Sequence, residues 1–206
     1  MTRKWLFLLP CVLAACGFFL SRQAGDGSPG FFIATAFTAM VYAAAWWVWG
    51  DRAVLAGPGK AADLIRGAVI GAALAAVFVL GAVVVSRVPF LAEPVEQILS
   101  TPEKGGYFLT LTVLVVNGIG EELVYRDALP RQFVARGHSV VQAGVWSTLF
   151  YCLVTVVMGV PLLVFAAAVL SAVTYFEATR TGRLYSPIAV HLTWSTGMLL
   201  ILPNFF

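Results

Sequence analysis

Two adjacent glutamates, Glu121 and Glu122, interrupt an apolar run that reads Asn117-Gly-Ile-Gly-Glu121-Glu122-Leu-Val-Tyr-Arg126. An ionised carboxylate facing lipid costs on the order of 3 kcal/mol, so acids inside apolar helices commonly face a polar cavity and do chemistry there. Residues four apart share a helix face. Asn117, Glu121 and Tyr125 therefore form one polar ridge, and Glu122 with Arg126 forms a second, spaced for an ion pair. The two acids stand about 100° apart around the helix. This spacing divides the labour: Arg126 neutralises Glu122, while Glu121 is left to a cavity shared with Asn117, where it could hold a water or relay a proton. Gly118 and Gly120 would let a neighbouring helix or a substrate backbone approach closely. A plainer reading, interfacial charge at a helix end, also fits these residues. A second polar pair, His191 and Ser195, is also four apart, beside Thr193 and Trp194. A lone histidine in an apolar helix is commonly a packing residue, but this one falls at a depth where it can meet Glu121. His138, after Gly137 in a basic loop, reads as a loop residue.

Apolar spans must carry these groups. Of 206 residues, 60% are hydrophobic and 11% charged, and mean hydropathy is +0.90, which excludes an ordinary soluble domain. The net charge of +3 is small and scattered, and no nucleic-acid partner follows from it. Crossing the hydrocarbon core takes ~20 apolar residues. Seven stretches come near that length: 5–21, 31–50, 66–86, 106–125, 140–159, 161–178 and 184–203. Turn chemistry separates them at Gly25 to Gly30, Gly57-Pro58-Gly59, Gly159 to Pro161 and Thr181-Gly182. The loop 87–105 leaves room for a short interfacial helix around Pro94 to Leu99. The expectation is an all-α polytopic membrane helix bundle of about seven transmembrane helices, six to eight, as one membrane domain over 1–206.

With the N-terminus cytoplasmic, the inner side holds Arg3, Lys4, Arg52, Lys60, Arg66, Arg126, Arg131, Arg136, Arg180 and Arg183, ten of the thirteen basic residues. Arg22, Arg87 and Lys104 fall outside. That distribution is what the positive-inside rule expects of a multi-pass protein of the cell membrane. The stretch Leu13-Ala14-Ala15-Cys16 also resembles a lipoprotein signal box, in which case Cys16 would be lipidated and the first span removed. The six further spans favour a plain first helix. An odd count of three cysteines, all in apolar runs, argues against a disulfide framework.

The order of the polar groups resembles the CPBP family (CAAX proteases and bacteriocin-processing enzymes), a group of intramembrane proteases. Its signature is Glu-Glu-x-x-x-Arg, then Phe-x-x-x-His, then a late His-x-x-x-Asn or Asp. The first is intact over Glu121 to Arg126, the second aligns with Phe150 to Val154, and the third with His191 to Ser195. The resemblance covers roughly 105–200, a CPBP-like core that follows N-terminal spans and a loop over 1–104. It implies that Glu121 activates a water for attack on a peptide carbonyl, with His191, and Ser195 in the asparagine position, holding the water or the oxyanion. The implied partner is a membrane-embedded or membrane-delivered peptide or protein substrate within the lipid bilayer.

Two positions depart from the pattern. Val154 stands where the family has histidine and can neither donate nor coordinate, while Ser195 keeps a donor of shorter reach. If the chemistry needs a divalent metal, Glu121, Glu122 and His191 are the ligands left, and His-Glu-x-x-His is absent. The cofactor is therefore unknown. A catalytically inactive member that binds membrane peptides or partner proteins stands as the alternative, and a small proton-relaying transporter or channel subunit stands behind it.

Overall fold

The computed structural model describes residues 2–206, with side chains from Trp5 onward; Arg3 and Lys4, counted above toward the basic side, lie outside the described side chains. After a 3-10 turn over Thr2–Leu8, helices follow as α1 (Leu9–Ala24), α2 (Pro29–Trp49), α3 (Lys60–Val85), α4 (Pro89–Leu99), α5 (Thr101–Gly105), α6 (Tyr107–Leu123), α7 (Leu129–Val134), α8 (Val140–Val156), α9 (Pro161–Thr181) and α10 (Tyr185–Ile201). The starts are written locally. Ser28 caps α2 by accepting from the Phe31 amide, with Pro29 at the first position, and Ser139 with Gln142 forms a reciprocal capping box on α8. Gly182, at φ 65°, supplies the left-handed residue that stops α9.

Six of these segments are long and apolar enough to cross a membrane: Trp5–Ala24, Pro29–Trp49, Lys60–Val85, Tyr107–Val134, Pro161–Thr181 and Tyr185–Phe205. The seventh, Val140–Val156, is apolar but shorter. At 1.5 Å per residue its 17 residues span roughly 26 Å, a little under a hydrocarbon core. The protein is a multi-pass helical membrane bundle. The loop helix expected near Pro94 begins earlier, at Pro89, because that proline also suits a first helical position.

The fourth span departs most from its sequence boundaries. The sequence ends it near residue 125, with the glutamates at its tip, but the helix continues to Val134 through one π turn over Val124–Ala128. Arg126, read as an end charge, is instead buried and paired, and so is Asp127 beside it, so nothing forces the chain out of the helix. In the π turn the Leu129 amide bonds to the Val124 carbonyl, and the Tyr125 carbonyl accepts from the Ser147 hydroxyl at 2.5 Å. The glutamate pair consequently sits mid-helix.

Glycines set the helix spacing around that point. Along α3, Gly67, Gly71 and Ala75 recur every four residues and meet α10. A Cβ at Gly71 would stand 2.5 Å from the Val190 carbonyl oxygen and 2.9 Å from Thr193 Cβ, and one at Gly67 would collide with the Ser186 carbonyl. Small residues at this period allow backbones to touch, which is the principal source of helix attraction in lipid. On α6, Gly120 gives the same access to Tyr42 of α2, and Gly118 to Leu192 and His191 of α10. Ion pairs close the end near the α9–α10 loop: Arg66 makes a two-point pair with Glu177 at 2.8 and 2.9 Å, and Arg183 meets Asp63 at 2.6 Å. Arg183 lies outside the spans, and its hydrogen bond to Asp63 raises its already high pKa further.

Candidate active site

Glu122 is fully buried and faces both Arg126 and His191. Arg126, one turn on, places its Nε 3.0 Å from Glu122 Oε2 and donates from Nη2 to Oε1 at 3.2 Å. The guanidinium is anchored in turn by Thr174 Oγ1 of α9, at 2.5 Å, and lies 5.1 Å from the centre of the Tyr151 ring. The same Glu122 Oε1 contacts His191 Nδ1 at 2.7 Å. With Nδ1–H donating to this oxygen, Nε2 is left for other work. His191 Nε2 lies 3.8 Å from Glu121 Oε2. The expected pairing of Glu122 with Arg126 is present, but it is only half of the arrangement. His191 lies against both acids, since a side chain arriving from another helix can insert between two residues 100° apart.

Glu121 accepts a hydrogen bond from the Tyr151 hydroxyl at 2.6 Å. Together with Asn117, His191 and Ser195 it lines one cavity of about 200 Å³, alongside Tyr151 and Thr155 of α8 and Trp194 of α10. Four of the six residues singled out from sequence thus meet in one place, and Glu122 and Arg126 stand behind them as supports. Asn117 is committed to the scaffold: its amide donates to the carbonyls of Thr35 at 3.2 Å and Val113 at 2.9 Å, tying α6 to α2. Tyr125, on the expected polar ridge, turns instead into the core against Tyr42, with hydroxyls 3.4 Å apart. Its place follows from the π turn that starts one residue earlier. His138 stacks edge-on against Phe133 in the α7–α8 loop, away from the site.

Residues 103–197 match the model of a protein family described as type II CAAX prenyl endopeptidase, Rce1-like. Over this segment the chain is similar to that family, which is of the CPBP kind. Comparisons with curated proteins and with solved structures give no match. The matched segment contains every residue of the cavity from α6, α8, α9 and α10, whereas Phe18 of α1 lines it from outside that segment, and Thr35 and Tyr42 of α2 support α6 from behind. Where the CPBP signature carries its second-motif histidine, Val154 is 3% exposed in an apolar cluster with Tyr125, Leu129 and Ala167, and it is not among the cavity-lining residues.

The donor set does not suit a metal. Among the described residues, no group of three or more His, Cys, Asp or Glu side chains is disposed to hold an ion. Of the three ligands the sequence leaves, Glu122 faces Arg126 and His191 Nδ1 and does not line the cavity with Glu121 and His191. Two participants escaped the sequence reading. Tyr151 lies in the variable part of the second motif and carries no charge to flag it. Asp127 follows Arg126 and is 4% exposed; it accepts from Trp46 Nε1 at 2.8 Å, the Asp51 amide at 2.7 Å and Arg131 at 2.9 Å. A third acid so near the motif was a usable signal, since an unpaired carboxylate at that depth needs partners.

Proposed function

We propose that the chain is an intramembrane endopeptidase of the CAAX-protease type, in which Glu121 is the general base. The observation that carries this reading is Glu121 lining a buried cavity with His191 Nε2 opposite, while Arg126 and Glu122 fix the histidine from behind. A water held between Glu121 and Nε2 attacks the peptide carbonyl carbon. Its proton passes to Glu121, the new C–O bond forms, and the carbonyl electrons move to oxygen. Ser195, which lines the cavity one turn beyond His191, donates to that oxyanion. When the C–N bond breaks, Glu121 returns the proton to the departing amine. Every group in this sequence comes from the chain's own residues, and no step runs through a metal.

The substrate on this reading is a peptide presented within the bilayer. An apolar groove of about 490 Å³ runs between α3, α9 and α10 and shares Leu114, Leu163, Trp194 and Ser195 with the reaction cavity. It gives the apolar part of such a peptide a place beside the chemistry. The proposed location is the cell membrane with the N-terminus in the cytoplasm, from the distribution of basic residues. The alternative, a non-catalytic protein that binds membrane peptides or partner proteins, draws its support from Val154.

The test is cleavage of a broad peptide panel by protein reconstituted into vesicles. Glu121→Gln and His191→Ala are each expected to lower turnover at least about 100-fold. No wild-type turnover on any peptide would decide for the non-catalytic reading, and turnover that survives Glu121→Gln would remove Glu121 as the base.

A further inference from the structure

We infer that Tyr151 is a positioning residue for Glu121, doing from α8 what the second-motif histidine cannot do in this chain; the inference rests on the peptidase reading above. Helix α8 meets the cavity through Tyr151 and Thr155, which are four apart and share a face, while Val154 turns into the apolar cluster. The Tyr151 hydroxyl reaches Glu121 Oε2 at 2.6 Å. Among the described residues no hydrogen bond involves the other oxygen, Oε1, which is the one left to take a proton from water.

The phenol itself has little freedom. Its ring lies 4.8 Å from the Tyr125 ring and 5.1 Å from the Arg126 guanidinium, and its backbone carbonyl accepts from Thr155 at 2.9 Å. A glutamate has three rotatable bonds, and the next group able to draw Glu121 aside is His191, whose Nε2 stands 3.8 Å from Oε2. Without the phenol, the carboxylate is free to swing toward the imidazole, and the place where the two would share a water is lost. Tyr151 keeps its proton throughout and supplies only a directed donor, so it adds no step to the reaction.

Tyr151→Phe removes the hydroxyl and keeps the ring packing. In the vesicle assay kcat is expected to fall about tenfold to a hundredfold, the range for a hydrogen bond to a charged group. KM and the melting midpoint in detergent are expected to stay at their wild-type values. A kcat within twofold of wild type overturns the inference. So does a change confined to KM, or a loss of kcat matched by a fall in the melting midpoint, since either assigns Tyr151 to binding or packing. If wild-type protein cleaves nothing, the peptidase reading fails first and this inference with it. Turnover in the wild type with an unaffected Tyr151→Phe sinks the inference alone.

Discussion

Arg126 holds three partners at once: Glu122, Thr174 and the face of the Tyr151 ring. Both ion-pair side chains have no solvent exposure, so removing the cation leaves Glu122 charged and uncompensated in the interior. Breaking a buried pair from one side costs about 3–5 kcal/mol. Arg126→Leu should therefore lower the thermal unfolding midpoint sharply in detergent and abolish activity; an unchanged midpoint would contradict the pairing described here. That pair was legible in the sequence, because i,i+4 spacing fixes a relation within one helix. The contact of Tyr151 with Glu121 was not, because it joins α8 to α6 and spacing is silent on which helices are neighbours. His191 falls between the two cases. Its depth foretold a meeting with Glu121, but not that Glu122 would take its nearer nitrogen.

Helix α3 contributes no side chain to the chemistry, yet it fixes where α10 stands. The seam of Gly67, Gly71 and Ala75 presses on Ser186, Val190 and Gly197, which bracket His191 along the helix. Gly71→Leu would insert a side chain where a Cβ alone already stands 2.5 Å from the Val190 carbonyl. Overpacking of this kind costs about 1–3 kcal/mol and would push His191 off Glu122. Gly81→Ala on the same helix meets nothing within 4 Å. It is expected to raise stability by roughly 0.5–1 kcal/mol, the usual gain over glycine inside a helix. Unfolding midpoints of the two variants should thus move in opposite directions, and a parallel shift would rule out the seam as the cause. The spans themselves could be read from hydropathy within a few residues at most boundaries. The fourth could not, since its extension depends on partners for Arg126 and Asp127 that other elements provide.

Contacts gather the loops into two ends. At one, Phe7 packs on Phe133 at 5.3 Å, Asp51 and Trp46 meet Asp127, and the Leu184 amide bonds to the Val54 carbonyl at 3.1 Å. At the other, Arg22 donates to Asp26 and Gln97, and a Cβ on Gly27 would touch Lys104 and Gly105. The first end carries Arg52, Lys60, Arg131, Arg136, Arg180 and Arg183, the same division that the sequence gives by alternating its spans. Gly57 and Gly25 mark one end each, both at positive φ with open space around them, so short epitopes inserted there should be tolerated. The expected outcome is antibody access at Gly25 on intact cells and at Gly57 only after permeabilisation; the reverse pattern would invert the proposed orientation.

The π turn over Val124–Ala128 also sets the phase of everything beyond it. One residue more per turn delays the helix by about 100° relative to an unbroken α-helix. Up to Glu122 the helix keeps time with the cavity that Glu121 lines. After Ala128 it keeps time with the loop between α2 and α3, delivering Arg131 to Asp51 at 3.1 Å and Phe133 to Phe7. A single rod is thereby read in two frames, one for the cavity and one for anchorage, and the slip between them falls just after the glutamate pair.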